Sequence, residues 1–477
     1  MSQVARKADP SAAFNLVIDG RVVAGAATME VLNPATGQAF ATCPRADAKQ
    51  LEAAVKAAKA AFPAWAKLGI EARRAKLLRI ADALEARIPE FAKLLTLEQG
   101  KPLAQATGEL QGSVIMMRML AAMDLPSKVL REDEREKIIE HRTPLGVVAA
   151  ITPWNFPMVL LAVKVTPALL AGNTVVAKPA PTTPLASLRF VELCNEHLPA
   201  GVINSITDQN DLGGLLTKHP DVAKVSFTGS TVTGKKVMES AAASLKRITL
   251  ELGGNDAAIV LDDVDVKEVA PKIFAGAMVN AGQVCLAIKR LYVHESQYEQ
   301  MCAELAKLAA TAVVGDGMKP QTEIGPLQNQ MQYEKVKGLI EDARRQGRII
   351  AGGEIPAGPG YFIRPTIVRD LPDSARLVCE EQFGPVLPVM SYKSVDEAVA
   401  RANDTHYGLG GTVWTSNPER GAQVAMRIDS GTVWVNSHLN NYPDIAAGGA
   451  KQSGIGAELG LEGLHEYTQA HHVYVVK

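Results

Sequence analysis

GVVAAITPWNFPMVLLAVKVTPALLAGNTVVAKPAP, Gly146 to Pro181, holds two short apolar runs separated by a longer apolar stretch. GVVAAIT and NTVVAKP have the length and β-branched content of strands, and the intervening PMVLLAVKVTPALLAG has the length of a helix. Nothing alternates between polar and apolar, which points to strands buried on both faces, as in a parallel sheet covered by helices. Moving outward, GVINSIT (201–207) and AKVSFTG (223–229) repeat the pattern, each followed by a helix-like segment. A second set follows, with AAIVLDD, RLYVHES, YFIRPTIV and LPVMSY as strands and VAPKIFAGAMVNAG and QYEQMCAELAKLA as helices. The rhythm is that of βαβ units, so an α/β fold is expected, in two parts joined near residue 250.

Upstream, residues 47–125 read as consecutive amphipathic helices, EARRAKLLRIADALEARI among them, with apolar positions three and four apart. Two segments lie outside these rhythms. REDEREKIIEH (131–141) is charged and reads as an exposed strand or hairpin, and the final EYTQAHHVYVVK is strand-like. A chain of 477 residues is long enough for two or three domains.

With 50 Lys+Arg against 51 Asp+Glu and a net charge of -1, there is no electrostatic reason to expect a nucleic acid or an anionic membrane as partner. The first residues, MSQVARKADPSAAF, lack the apolar core of a signal peptide. PMVLLAVKVTPALLAG is broken by Lys164 and Pro167 and is too short to span a bilayer. Cys43, Cys194, Cys285, Cys302 and Cys379 are odd in number and contain no CxxC pair, which speaks against a disulfide framework or a zinc site. A reducing, cytoplasmic setting is expected.

GSTVTGKK (229–236) nearly matches a phosphate-cradling loop. Lys236, however, stands where a hydroxyl would bind magnesium, so nucleotide triphosphatase chemistry is set aside. The turn still offers free backbone N–H groups to a phosphate.

Three other stretches carry chemistry. In NAGQVCLAIKR, Cys285 sits in a turn with Lys289 and Arg290 nearby, which could favour a thiolate. Spacing alone leaves it either a nucleophile or a buried structural thiol. In RITLELGGND, Glu251 ends an apolar strand before Gly253-Gly254, as suits a general base or an ordinary solvated acid. In ITPWNFP, Asn155 is a neutral donor between aromatics, able to serve an oxyanion or merely a turn.

PWNFP, AKPAP, FTGS, ELGG, GQVC, EEQFGP and GGAKQSG occur together and in order, and by this series the chain resembles the aldehyde dehydrogenase superfamily of the hydrolytic, NAD(P)-dependent type. The resemblance runs from about Leu16, where LVIDGRVV looks like a first hairpin, to the C-terminus, and includes the spacing from Glu251 to Cys285. It implies two Rossmann-like parallel-sheet domains plus a small β oligomerisation domain: cofactor binding in 1–125 and 145–250, catalysis in 251–462, and oligomerisation in 126–144 and 463–477. By the same resemblance Cys285 is the nucleophile, Asn155 and the Cys285 amide the oxyanion donors, and Glu251 the base that activates water. Lys178 matches a lysine on the adenosine ribose. Trp154, Gly229 and Ser230 match the pyrophosphate and nicotinamide end, with Ile151, Thr152 and Leu252 lining the same groove. Glu381 matches the carboxylate on the nicotinamide ribose, with Phe383 beside it, and no metal is implied. The expected partners are a small aldehyde, NAD (or NADP), and a second copy of the chain in a homodimer or homotetramer.

Departures from the family's pattern bear on the finer questions. Pro181 stands where many NAD-preferring members carry a Glu, whereas Asp208, in ITDQNDLGG, could oppose a 2′-phosphate or be a solvated loop acid. Pro181 removes that Glu's selection against NADP and leaves the preference open, with Lys178 able to pair with a phosphate, while Asp208 supports a slight lean toward NAD. Ala446-Ala447 replaces a common Pro-Phe, so Ala447 should open the substrate funnel alongside Phe156, Leu160, Val163, Val284, Leu286 and Tyr442. That lining fits medium-chain aliphatic or aromatic aldehydes and offers no arginine for a semialdehyde's distal carboxylate. Transfer to coenzyme A is disfavoured by Glu251, and a cysteine esterase would leave the cofactor motifs idle.

Overall fold

The computed structural model describes residues 13–477; the polar N-terminal stretch read against a signal peptide lies, up to residue 12, outside them. Its strands form two large sheets and three small ones.

The first large sheet is built by the stretch quoted above. Val147–Ile151 is flanked by Thr174–Lys178 and Val222–Thr228, with Ile203–Ser205 and Arg247–Glu251 beyond them, all parallel. Every residue of Val147–Ile151 and Thr174–Lys178 is buried, which is why neither alternates. Between them runs the helix Pro157–Ala171, with proline at its start and Gly172 in the left-handed region (φ 100°) ending it. It is apolar and buried nearly all round, Lys164 included. Four helices, Ala48–Lys67, Ile70–Glu85, Ile88–Gln99 and Leu103–Ala121, fill the region whose periodicity predicts them. Among the described residues no helix is long and apolar enough to cross a membrane.

The second sheet has seven strands, in the order Arg348–Ala351, Thr366–Arg369, Val386–Tyr392, Arg290–His294, Ala257–Val260, Gly410–Trp414 and Thr432–Val435. All pairs are parallel except the first. YFIRPTIV was expected to be one strand, but only Thr366–Arg369 joins the sheet. Pro365 has no N–H to give a ladder, and Tyr361 bonds instead to the Pro34 carbonyl (3.0 Å) and the Leu327 amide (2.9 Å). The two orphan segments pair with each other. Thr468–Val476 lies antiparallel to Glu136–Pro144 over nine residues, and Lys128–Glu132 completes a three-stranded sheet. Leu16–Ile18 and Arg21–Val23 form the expected hairpin.

The arrangement of ends positions the site. Ile151, Lys178, Thr228 and Glu251 close the strands of the first sheet at their carboxyl ends. Asp256, Lys289, Pro385 and Leu409 immediately precede strands of the second. Carboxyl ends of parallel strands are where α/β sheets hold ligands.

Candidate active site

Asn155 follows the strand Val147–Ile151 and is buried. Its Nδ2 donates to the Gln283 carbonyl at 2.9 Å, which ties the PWNFP turn to the loop carrying Cys285. An amide nitrogen has two hydrogens, so a second donor direction stays open. The Asn155 carbonyl accepts from Lys101 Nζ (2.9 Å) and Asn280 Nδ2 (3.0 Å). Lys101 is itself fully buried, paired with Glu109, and sits 3.7 Å above the Phe156 ring. Glu109 in turn accepts from the Met158 and Val159 amides at the start of the helix Pro157–Ala171. Neither Lys101 nor Glu109 stood out in the sequence, because each lies in an ordinary-looking helical region.

The Cys285 loop is conformationally committed. Asn280, Ala281 and Gly282 all have positive φ (52°, 55° and 71°), costly for the two that carry a Cβ. A Cβ at Gly282 would lie 2.3 Å from the Gly384 carbonyl, so this loop and EEQFGP touch backbone to backbone. Cys285 is half-buried. Burial pushes its thiol up to about 12, against the pull of Lys289, while Asp256, Glu381 and Glu251 add to the rise. The expected help from Arg290 is absent for a structural reason. Its guanidinium is spent on the carbonyls of Asn255 (2.8 Å), Ala402 (2.8 Å) and Arg401 (3.2 Å), which binds the second sheet's helices to its strands.

Glu251 ends its strand with Oε1 buried and without a hydrogen-bond partner. Burial holds its carboxyl well above the usual range. The Glu458 carboxylate adds to the rise and Lys164 opposes it. Lys164 and Glu458 are an ion pair beside it. Lys164 was legible only as an interruption of an apolar run; a buried charge needs a counter-charge, and that is the signal that could have found this pair.

Among the residues expected to meet the cofactor, Lys178 closes its strand with Nζ 2.6 Å from Asp208 Oδ1. Asp208 is fully buried and also accepts from the Leu212 amide, so the solvated-acid alternative does not hold. Ser230 caps the helix Thr231–Ala242 by accepting from the Thr233 amide, leaving a helix N-terminus beside Gly229. Glu381 accepts from the Gly254 amide at 3.0 Å, and a Cβ at Gly253 would lie 2.4 Å from its carboxylate. Phe383 meets Trp154 edge to face at 5.3 Å. Leu252 packs against Gly234, its amide bonding the Ser453 carbonyl at 2.8 Å. Ile151 and Thr152 are buried where their strand ends, and Pro181 is half-buried in the turn after Lys178.

The expected substrate lining divides. Val163 and Val284 are buried, while Phe156, Leu160, Leu286 and Ala447 are half-buried. Ala447 bonds through its backbone to Glu458 in both directions at 2.8 Å. Tyr442 is 61% exposed. His438, not singled out in the sequence, bonds the Leu286 carbonyl at 2.7 Å and stacks edge to face on Trp434.

Comparison with known proteins agrees with this geometry. The aldehyde dehydrogenase family model matches residues 22–473. A probable aldehyde dehydrogenase of a Pseudomonas species is 44% identical over 461 residues, covering 96% of this chain and 93% of that one. A phenylacetaldehyde dehydrogenase of Pseudomonas fluorescens is 41% identical, covering 92% and 91%. The NAD+ complex of a Bacillus cereus aldehyde dehydrogenase superposes with a TM-score of 0.95 at 38% identity, covering 97% and 96%. Over nearly its whole length, then, the chain belongs to the aldehyde dehydrogenase family, enzymes that oxidise aldehydes to acids.

Proposed function

We propose that the chain oxidises medium-chain aliphatic or aromatic aldehydes with NAD, through a thioester on Cys285 that water, activated by Glu251, hydrolyses. The observation that carries the hydrolytic reading is the buried, unpartnered Oε1 of Glu251 at the end of its strand. A carboxyl raised by burial is a stronger base than an ordinary carboxylate, and an oxygen without a partner is free to accept from a water. The Cys285 thiol gives up its proton to solvent, the thiolate adds to the aldehyde carbon, and the new oxyanion takes hydrogen bonds from Asn155 Nδ2 and the Cys285 amide. Collapse of this adduct expels hydride and leaves the thioester. Glu251 then draws a proton from water as it attacks the acyl carbon, and Cys285 departs as thiolate.

The residues present fit a dinucleotide. The Ser230 helix N-terminus suits a pyrophosphate, and Gly253 leaves Glu381 space that any Cβ would fill. When bound, the nicotinamide supplies the hydride acceptor. Lys178 and Glu381 would hold the two riboses, and Phe383 and Trp154 would wall the nicotinamide end. The Lys178–Asp208 pair supports NAD over NADP. It neutralises the cation that a 2′-phosphate would seek and sets a buried carboxylate beside it.

For the substrate, the aliphatic lining and Ala447 support a roomy apolar funnel, and the phenylacetaldehyde-oxidising relative supports an aromatic tail. We also propose the domain roles that the resemblance implies: cofactor binding on the first sheet, catalysis on the second, and oligomerisation through the three-stranded sheet, in a cytoplasmic homodimer or homotetramer. Short, medium-chain, long, aromatic and ω-carboxylated aldehydes, each assayed with NAD and with NADP for cofactor reduction, test the reading. Highest kcat/KM for medium-chain or aromatic aldehydes with NAD is expected. A preference for the ω-carboxylated aldehyde, or for NADP, would overturn the corresponding part.

A further inference from the structure

Lys289 is buried, and its Nζ lies 2.5 Å from the Cys285 carbonyl oxygen, 3.6 Å from Glu381 Oε1 and 6.0 Å from the centre of the Phe383 ring. A side chain four residues downstream thus folds back onto the main chain of Cys285 itself. The neighbouring Arg290, one residue further along, is turned away onto three carbonyls. The charged groups that bear on the thiol come from four elements. Asp256 lies before the strand Ala257–Val260, Glu251 ends the strand Arg247–Glu251, Glu381 lies in the EEQFGP loop, and Lys289 belongs to the thiol's own loop. Three are acids. Lys289 is the one that favours the thiolate.

We propose that Lys289 is a positioning residue for the reaction. Its ammonium fixes the Cys285 carbonyl, bridges it to Glu381, and holds the thiol reactive among three carboxylates. In a poorly solvated site a single charge acts strongly, and a cation beside a cysteine lowers the cost of its thiolate. No bond is made or broken at Lys289.

This rests on Cys285 being the nucleophile. The test therefore reads the thiol directly, by alkylating the intact protein with iodoacetamide across a range of pH. The peptide carrying Cys285 is followed by mass spectrometry, which keeps the exposed Cys379 out of the signal. Lys289→Gln keeps a donor for the carbonyl but removes the charge, and Lys289→Arg keeps the charge. The expected result is that Lys289→Gln alkylates Cys285 roughly tenfold more slowly than wild type at every pH from about 7 to 9, below the titration of the thiol. Lys289→Arg should restore the wild-type rate. If Lys289→Gln alkylates at the wild-type rate, or Lys289→Arg is slowed as far as Lys289→Gln, the proposal is overturned. Should the Gln variant fail to fold, as judged by its thermal melt, Lys289→Met in its place and the Arg profile decide on the same criteria. Loss of aldehyde oxidation in Cys285→Ser is a separate measurement. Full activity there would sink the nucleophile reading and leave the pH profiles to judge Lys289.

Discussion

Asn155 donates one amide hydrogen to the Gln283 carbonyl and is held from behind by Lys101 and Asn280 on its own carbonyl. A neutral donor so fixed reorganises little when charge develops beside it, and removing one such donor typically costs about 2.7–4 kcal/mol. Asn155→Ala should therefore lower kcat about a hundred- to a thousandfold with little change in KM. Steady-state kinetics showing less than a tenfold loss would remove Asn155 from that role. Residue identity was where the sequence spoke most clearly, but only through the motif series. Spacing alone left Cys285 between nucleophile and inert thiol. What stayed hidden were partners brought in from afar, such as Glu458 for Lys164. Likewise, nothing in the order of residues says that Lys289 turns inward and Arg290 away.

At the scale of elements, buried carboxylates from distant helices complete helix starts. Glu98, on the helix Ile88–Gln99, accepts from the Leu185 and Ala186 amides at the start of Leu185–Asn195, as Glu109 does for Pro157–Ala171. Burial raises the Glu98 carboxyl to about 8, outweighing those two hydrogen bonds, with the Glu109 charge adding to the rise. A folded-state value above the unfolded one means that the native state binds the proton more tightly. The contribution is full below the ordinary carboxyl range and is lost as pH rises through about 8. Glu98→Gln mimics the protonated form and cannot titrate. The melting temperature of the wild type relative to Glu98→Gln should fall from pH 5 to about pH 8 and level off above it, each pH unit inside the window being worth up to about 1.4 kcal/mol. A difference flat with pH would contradict this. Long amphipathic helices and buried five-residue strands were legible because their periods are distinct. Short strands such as Thr432–Val435, and the start of YFIRPTIV, depend on neighbours far along the chain.

Over the whole molecule, the three-stranded sheet has an outer strand whose Val473, Tyr474, Val475 and Val476 are exposed. An apolar strand with a free edge favours pairing with another chain. Light scattering at micromolar concentration should give a dimer or tetramer of the 50.8 kDa chain, and monomer alone would contradict the assembly proposed. The residue pattern left the two orphan segments outside both sheets, the resemblance assigned them to one small β domain, and the fold pairs them strand to strand. The central claim concerns the meeting of the two large sheets, where Glu251 of one and Cys285 beside the other share a desolvated site. It is tested most directly in Glu251→Gln, mixed with NAD and a reactive aldehyde and analysed by mass spectrometry. The account predicts a burst of about one equivalent of reduced cofactor per chain, then a stall with the acyl group on the peptide bearing Cys285. Steady turnover near the wild-type rate, or a burst with no acyl group on Cys285, would contradict it.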